Sequence, residues 1–380
     1  MALDVAGQNV AHEAPHAASR ELMKGNHALC EAAIRAGCRY YFGYPITPQN
    51  EVTEHMAERL PEVAGTFLQA ESEVAAINMV FGAAACGQRV MTSSSSPGIS
   101  LKQEGISYIA TAELPAVIVN VMRCGPGLGN IAPHQGDYFQ ATKGGGHGDY
   151  RLLVLAPDSV QELADLTYLS FDLAEQYRIP AMILADGTIG QMMEGVELGG
   201  LLPKTATPQP WALRIRQPGE KSRFLTTIHL QPPDMAVLHQ HLKDKYEAIR
   251  QHEIRYEKFM ADDADLVVVA YGTSSRVCRS AIRNLRARGV KVGMLRPITL
   301  WPFPYAALAD LARGSSRAFL VAEMSFGQMV EDVALAIAHD KPLHFVGKDG
   351  GMLFETDELE TAMQAVLADP DGAPTRFSLF

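Results

Sequence analysis

Arg89–Arg123, "RVMTSSSSPGISLKQEGISYIATAELPAVIVNVMR", reads as strand, helix, strand. A proline starts the helical run at Pro97 and another closes it at Pro115; the run from Pro115, "PAVIVNVM", is apolar almost without interruption, and the run before Pro97 carries only threonine and serines after Val90 and Met91. A strand apolar at every position has no solvent face. Such a strand, joined by a helix to another that has no charged residue between Val90 and Ser96, implies a parallel sheet covered on both sides.

The same alternation extends in both directions. Upstream, "MKGNHALCEAAIRAG" has helical spacing and "RYYFGYP" reads as a short strand; "QNEVTEHMAERLP" is helical up to a proline, "GTFLQA" is a strand and "ESEVAAINMVFGAAACG" a helix. Downstream, "LLVLAPDSVQELADLTYLSFDLAEQYRIPAMILAD" adds strand, helix and strand. From 199 to 262 prolines and charges replace the pattern, and this segment is expected to be a linker ending in an amphipathic helix. Alternation resumes over 263–380 as a second, smaller α/β unit. The expected organisation is therefore a polar tail over 1–19, a parallel-sheet domain over 20–198, the linker, and the second domain.

Composition excludes several classes of function. A net charge of −10 with dispersed lysines and arginines offers no field for nucleic acid. No apolar run reaches the roughly 20 residues that span a bilayer, and the start of the chain lacks the pattern of a secretory signal. Cys30, Cys38, Cys86, Cys124 and Cys278 form no C-x-x-C pair, which argues against disulfides, structural zinc or a cluster ligated by this chain alone. A reducing, cytoplasmic setting is expected.

Ligands of open α/β sheets collect beyond the C-terminal ends of the strands. That rule gathers Thr47, Glu71, Glu73, Ser93 to Ser96 and Arg123 on one edge. Thr47 stands between Pro45 and Pro48 in "GYPITPQN", where two fixed φ angles hold its hydroxyl still. Glu73 starts a helix rich in small residues, a place where a carboxylate also simply complements the helix dipole. An arginine at a strand end, such as Arg123, is either paired with a local carboxylate or is itself a carboxylate clamp. The loop "RCGPGLGN" has the wrong spacing for a dinucleotide fingerprint, and no G-x-S-x-G elbow is present. His134 and His147 lack partners at metal-ligand spacing.

Taken together and in order, "GYPITPQNEV", "QAESEVAAINMVFGAAACG", "TSSSSPGISLKQEGI", "VMRCGPGLG" and "DYFQATKGGGHGDYR" resemble the alpha subunit of the thiamine-diphosphate-dependent 2-oxoacid:ferredoxin (acceptor) oxidoreductases. Farther on, "LRPITLWPFP", "VAEMSFGQMVEDV" and "HFVGKDGG" are similar to that subunit's second, transketolase C-terminal-like domain. The resemblance implies a pyrimidine-binding first domain in which Glu73 hydrogen-bonds the ring nitrogen, with Pro45 and Ile46 lining the pyrimidine side. It further implies that Thr47 and Arg123 bind the substrate carboxylate.

The G-D-G segment and paired asparagines that anchor the diphosphate through Mg²⁺ in thiamine enzymes are missing; after Asn130 the only asparagine is Asn284. The resemblance therefore implies a beta subunit carrying diphosphate and Mg²⁺, [4Fe-4S] clusters on gamma or ferredoxin-like partner chains, and coenzyme A as co-substrate. Electrons would leave to ferredoxin or a related acceptor. For the substrate, "RCGPGLGNIAPHQGDY" is more similar to branched-chain or aromatic 2-oxoacid members than to 2-oxoglutarate members. A dicarboxylate would want a second cation, for which Lys102, Lys143 and His134 are the candidates. The rival readings are a non-catalytic assembly subunit and a thiamine enzyme that transfers no electrons.

Overall fold

A computed structural model describes residues 20–338, 340–372, 375 and 377; the segment 1–19, expected to be a tail, lies outside the described residues. Two sheets carry the chain. The first has seven strands, in the order Thr299–Trp301, Leu153–Leu155, Pro180–Asp186, Ala116–Met122, Val90–Ser94, Tyr40–Gly43, Thr66–Gln69. Its middle strands are buried at every position, two of them largely apolar and Val90–Ser94 filled after Met91 by the small side chains of Thr92, Ser93 and Ser94. Helices Gly25–Arg35, Asn50–Glu62, Glu73–Ala85, Ser96–Thr111 and Val160–Tyr177 pack around it.

The second sheet runs Leu343–Gly347, Ala318–Glu323, Leu266–Val269, Val292–Pro297, Tyr256–Phe259. All pairings in the two sheets are parallel except at one edge of each. Both exceptions correct the sequence reading. The segment read as a linker ending in a helix does form the helix Pro232–His252, but the chain then straightens and Tyr256–Phe259 joins the second sheet antiparallel to Val292–Pro297. Thr299–Trp301 leaves the second sheet and caps the first, antiparallel to Leu153–Leu155. A third, two-stranded ribbon pairs Glu21–Lys24 with Met193–Val196, so "MKGNHALCEAAIRAG" begins as strand and turns helical only at Gly25.

The two units are locked together through the loop that follows Ala116–Met122. Gln135 donates to Tyr271 O at 2.9 Å and accepts from Ser274 Oγ at 2.8 Å and from the Met324 N–H at 3.0 Å. Gln328 reaches back to Gly136 O at 2.7 Å. Asp332, buried in the second unit, accepts from Tyr138 Oη at 2.5 Å and from Lys143 and Tyr305. Removing that carboxylate would strand a buried hydroxyl and an ammonium. Asp332→Ala is expected to cost about 2–3 kcal/mol of unfolding free energy, to be read as a lowered denaturant midpoint.

Candidate active site

The site begins where strands end. Ala70 N–H donates to Gly43 O at 2.9 Å, so the loops after Tyr40–Gly43 and Thr66–Gln69 leave the sheet side by side. One carries Pro45, exposed, with Ile46 and Thr47, half-buried; the other carries Glu71, exposed, and Glu73, buried. Ser72 starts the helix by accepting the Ala75 N–H at 3.2 Å, which fixes Glu73 in the first turn. The strand Val90–Ser94 ends next to it.

Glu73 is 5% exposed, and no hydrogen-bond donor among the described residues meets its carboxylate. Gly98 lets Glu73 and Ser94 lie directly against the backbone of the next helix: an added Cβ would stand 2.5 Å from Glu73 Oε1 and 2.1 Å from Ser94 Oγ, inside contact distance of both. The Ser94 and Ser95 hydroxyls are buried without partners. A buried carboxylate and an unpaired hydroxyl packed against the bare backbone of Gly98 form a built polar recess, and unpaired buried polar atoms of this kind call for a ligand. Gly98→Ala should push the Glu73 and Ser94 side chains aside and weaken binding of whatever meets them by about tenfold, a loss of roughly 1.4 kcal/mol, measurable by calorimetry.

Arg123 and Thr47 meet directly. The Arg123 guanidinium donates to Thr47 O at 3.0 Å and to Leu128 O at 3.1 Å, while its Nε–H is buried and unpartnered. No carboxylate among the described residues pairs with it, so the alternative of a local ion pair at this strand end does not hold. A buried guanidinium spent only on neutral carbonyls keeps its charge available for an anion. Thr47 Oγ1 accepts a long 3.4 Å bond from Asn50 and sits at a cis Thr47–Pro48 peptide.

The main chain of Arg123 is pinned from below. Ser96 Oγ donates to Asp137 Oδ2 at 2.6 Å and accepts the Arg123 N–H at 3.1 Å; Asn120 donates to the same Asp137 oxygen at 2.9 Å. Burial pushes the Asp137 carboxyl upward against these two donors. The sequence reading missed Asp137, a single acidic residue in a glycine-rich loop, although its stretch "HQGDY" was in view.

His134 lies apart from the Glu73 recess, in a cleft of about 460 Å³ between the two units, with Ser96, Cys124, Asp137, Phe326 and Asp349. Burial holds its imidazole below the usual histidine range, opposed by Asp137 and Asp349. Of the other candidate cations, Lys143 is spent on Asp332, and Lys102 is fully buried, donating to Thr92 Oγ1 at 2.6 Å and Ser93 O at 2.9 Å. Among the described residues no cluster of His, Cys, Asp or Glu could hold a metal ion, and no helix is long and apolar enough to cross a membrane.

Residues 31–260 match the family described as pyruvate flavodoxin/ferredoxin oxidoreductase, thiamine-diphosphate-binding, and residues 264–359 match pyruvate:ferredoxin oxidoreductase core domain II. Ketoisovalerate oxidoreductase subunit VorB of Methanothermobacter thermautotrophicus is 50% identical over 92% of this chain and 98% of its own. 2-Oxoglutarate synthase subunit KorA of Methanocaldococcus jannaschii is 36% identical over 90% and 99%. In three dimensions the chain is similar to 2-oxoglutarate:ferredoxin oxidoreductase from Magnetococcus marinus, a structure with 2-oxoglutarate, coenzyme A and succinyl-CoA bound. The TM-score is 0.78 at 26% identity, over 91% of this chain and 65% of that one, so this chain spans just under two thirds of that length. A split-gene transketolase shares the fold, at a TM-score of 0.56. The chain belongs to the 2-oxoacid:ferredoxin oxidoreductase family, with a thiamine-diphosphate-binding first part and a core domain II that follows it.

Proposed function

We propose that this chain is the alpha subunit of a complex that oxidatively decarboxylates a 2-oxoacid with coenzyme A, giving acyl-CoA and CO2 and passing two electrons to ferredoxin or a related acceptor. The observation that carries this reading is Glu73, a buried carboxylate without a donor, lying against Gly98 on the same sheet edge as an arginine that has no counter-ion.

Thiamine diphosphate, when bound, supplies the carbon nucleophile that adds to the 2-oxoacid carbonyl and holds the electrons released on loss of CO2. The recess fits its pyrimidine end: Glu73 Oε1 would hold or give a proton at the ring nitrogen, and Pro45 and Ile46 would wall the ring. Arg123 would neutralise the substrate carboxylate and Thr47 would donate to it. Both are fixed before substrate arrives, which matters because misplacement by about 1 Å can cost roughly 10²-fold in rate.

The oxoacid we propose has an apolar, branched side chain. The VorB relative, named for ketoisovalerate, is more similar to this chain than the KorA relative named for 2-oxoglutarate. The cations available for a second carboxylate support the same choice. Lys143 and Lys102 are already engaged, and His134, whose imidazole burial holds below the usual histidine range, is proposed as a polar wall of the substrate side of the cleft.

A beta subunit would bring the diphosphate and Mg²⁺ site, and gamma or ferredoxin-like subunits the [4Fe-4S] clusters. The apolar helix Glu73–Ala85 supports such a partner, since it leaves Val74, Asn78 and Gly82 exposed along one stripe and a Cβ at Gly82 would meet nothing within 4 Å. The test is co-purification with the natural partner subunits, cluster absorbance, and viologen reduction with coenzyme A and a panel of 2-oxoacids. Branched-chain acids should be the best substrates. Reduction by 2-oxoglutarate alone would overturn the substrate, and reduction by none would overturn the function.

A further inference from the structure

Lys102 is the one fully buried lysine among the described residues, and nothing in the reaction so far uses it. It stands one turn after Gly98 on the helix Ser96–Thr111, and its ammonium is tied down to the strand Val90–Ser94. Thr92 Oγ1 gives its own proton to Phe42 O at 2.6 Å and so has only lone pairs to offer Lys102; Ser93 contributes its carbonyl. Both partners are neutral. The charged group that acts on Lys102 is Glu73, from the facing helix. The other titratable group of this shell, Tyr41, bonds Ser93 Oγ at 2.6 Å and is pushed up to about 12 by burial, so it stays neutral through the physiological range.

We propose that Lys102 is the buried counter-charge of the Glu73 recess, a positioning residue whose ammonium stabilises negative charge on Glu73 and thereby makes affinity for thiamine diphosphate depend on pH. This rests on the reading of Glu73 as the group that meets the pyrimidine ring. A carboxylate with no donor of its own needs compensation from somewhere when it is buried. Burial brings Lys102 down to about 7, with Glu73 pulling the other way. The ammonium is therefore present below about pH 7 and lost above it. Its absence leaves Glu73 uncompensated.

The test is calorimetric titration of thiamine diphosphate into the cofactor-stripped complex, wild type and Lys102→Met, from about pH 6 to 8.5. Comparing the two at each pH cancels the cofactor's own ionisations. The variant should bind about tenfold more weakly at pH 6, where wild type carries the ammonium, and equally at pH 8.5, where neither does. Its melting temperature should fall below wild type at pH 6, where Glu73 loses its counter-charge, and by less at pH 8.5, where wild type lacks the ammonium as well. Thr92→Val, which deletes an acceptor of the ammonium, should move the wild-type inflection to lower pH and serves if the methionine variant does not assemble. A ratio that is the same at every pH, or close to one throughout, overturns the role of Lys102. If Glu73→Gln binds the cofactor as wild type does, the underlying reading fails instead.

Discussion

Glu73→Gln, assembled with its partner subunits, should reduce viologen about 10³-fold more slowly than wild type, within the 10²–10⁴ range that a positioned acid or base contributes. The amide is nearly isosteric and keeps the first-turn position behind the Ser72 cap, so the helix should survive. Loss of the charge at a helix start costs about 0.3–1 kcal/mol, and losing a buried charge that has no donor offsets part of that. Above about pH 7, where Lys102 is neutral, melting temperature should therefore stay close to wild type while turnover collapses. That combination separates the two surviving readings. A purely architectural subunit would show intact turnover, and a variant that lost activity by misfolding would show a lowered melting temperature and incomplete assembly.

Much of this site was legible in the chain because the signal was local. The strand Ala116–Met122 is apolar at both faces apart from Asn120, and only a sheet covered on both sides accommodates that. Glu73 could be placed at a helix start from "ESE" followed by small residues, and Glu71 fell outside for the reason helical geometry gives: it precedes the cap and points to solvent. What was not legible is tertiary. Arg123 meets Thr47 through a main-chain carbonyl, which every residue possesses, so no side-chain pattern could announce it. Asp137 gathers Ser96 and Asn120 from two different elements under Arg123, a convergence created by the fold alone. Tyr256–Phe259 follows a charged helix after three residues, without a strong breaker, and Thr299–Trp301 is too short to reveal which sheet it joins. Lys102 looked like a cation available to a substrate, whereas burial has assigned it to Thr92 and Ser93.

Arg123→Met should lower kcat/KM for the preferred 2-oxoacid by about 10²–10³-fold, consistent with the 2–5 kcal/mol lost when one partner of a buried charged contact is removed. Most of the change should fall on KM, because a substrate carboxylate is held in the ground state as well as in the transition state. Stability should change little: the guanidinium is buried without a counter-ion, and a methionine of similar reach relieves that charge while losing two carbonyl bonds. Arg123→Lys should recover only part of the activity. A single ammonium cannot span Thr47 O and Leu128 O and still present a free N–H in a fixed direction.

Thr47→Val gives the sharper test, since it deletes the hydroxyl and keeps the carbonyl that Arg123 holds. Alone it should cost about 1.5–3 kcal/mol in transition-state binding, the worth of one hydrogen bond to a charged group. In the double variant with Arg123→Met the two losses should fall short of adding, because both groups act on one carboxylate and removing either lets it shift. Full additivity in kcat/KM would mean that the two side chains contact different parts of the substrate, and the shared-carboxylate assignment would have to be given up.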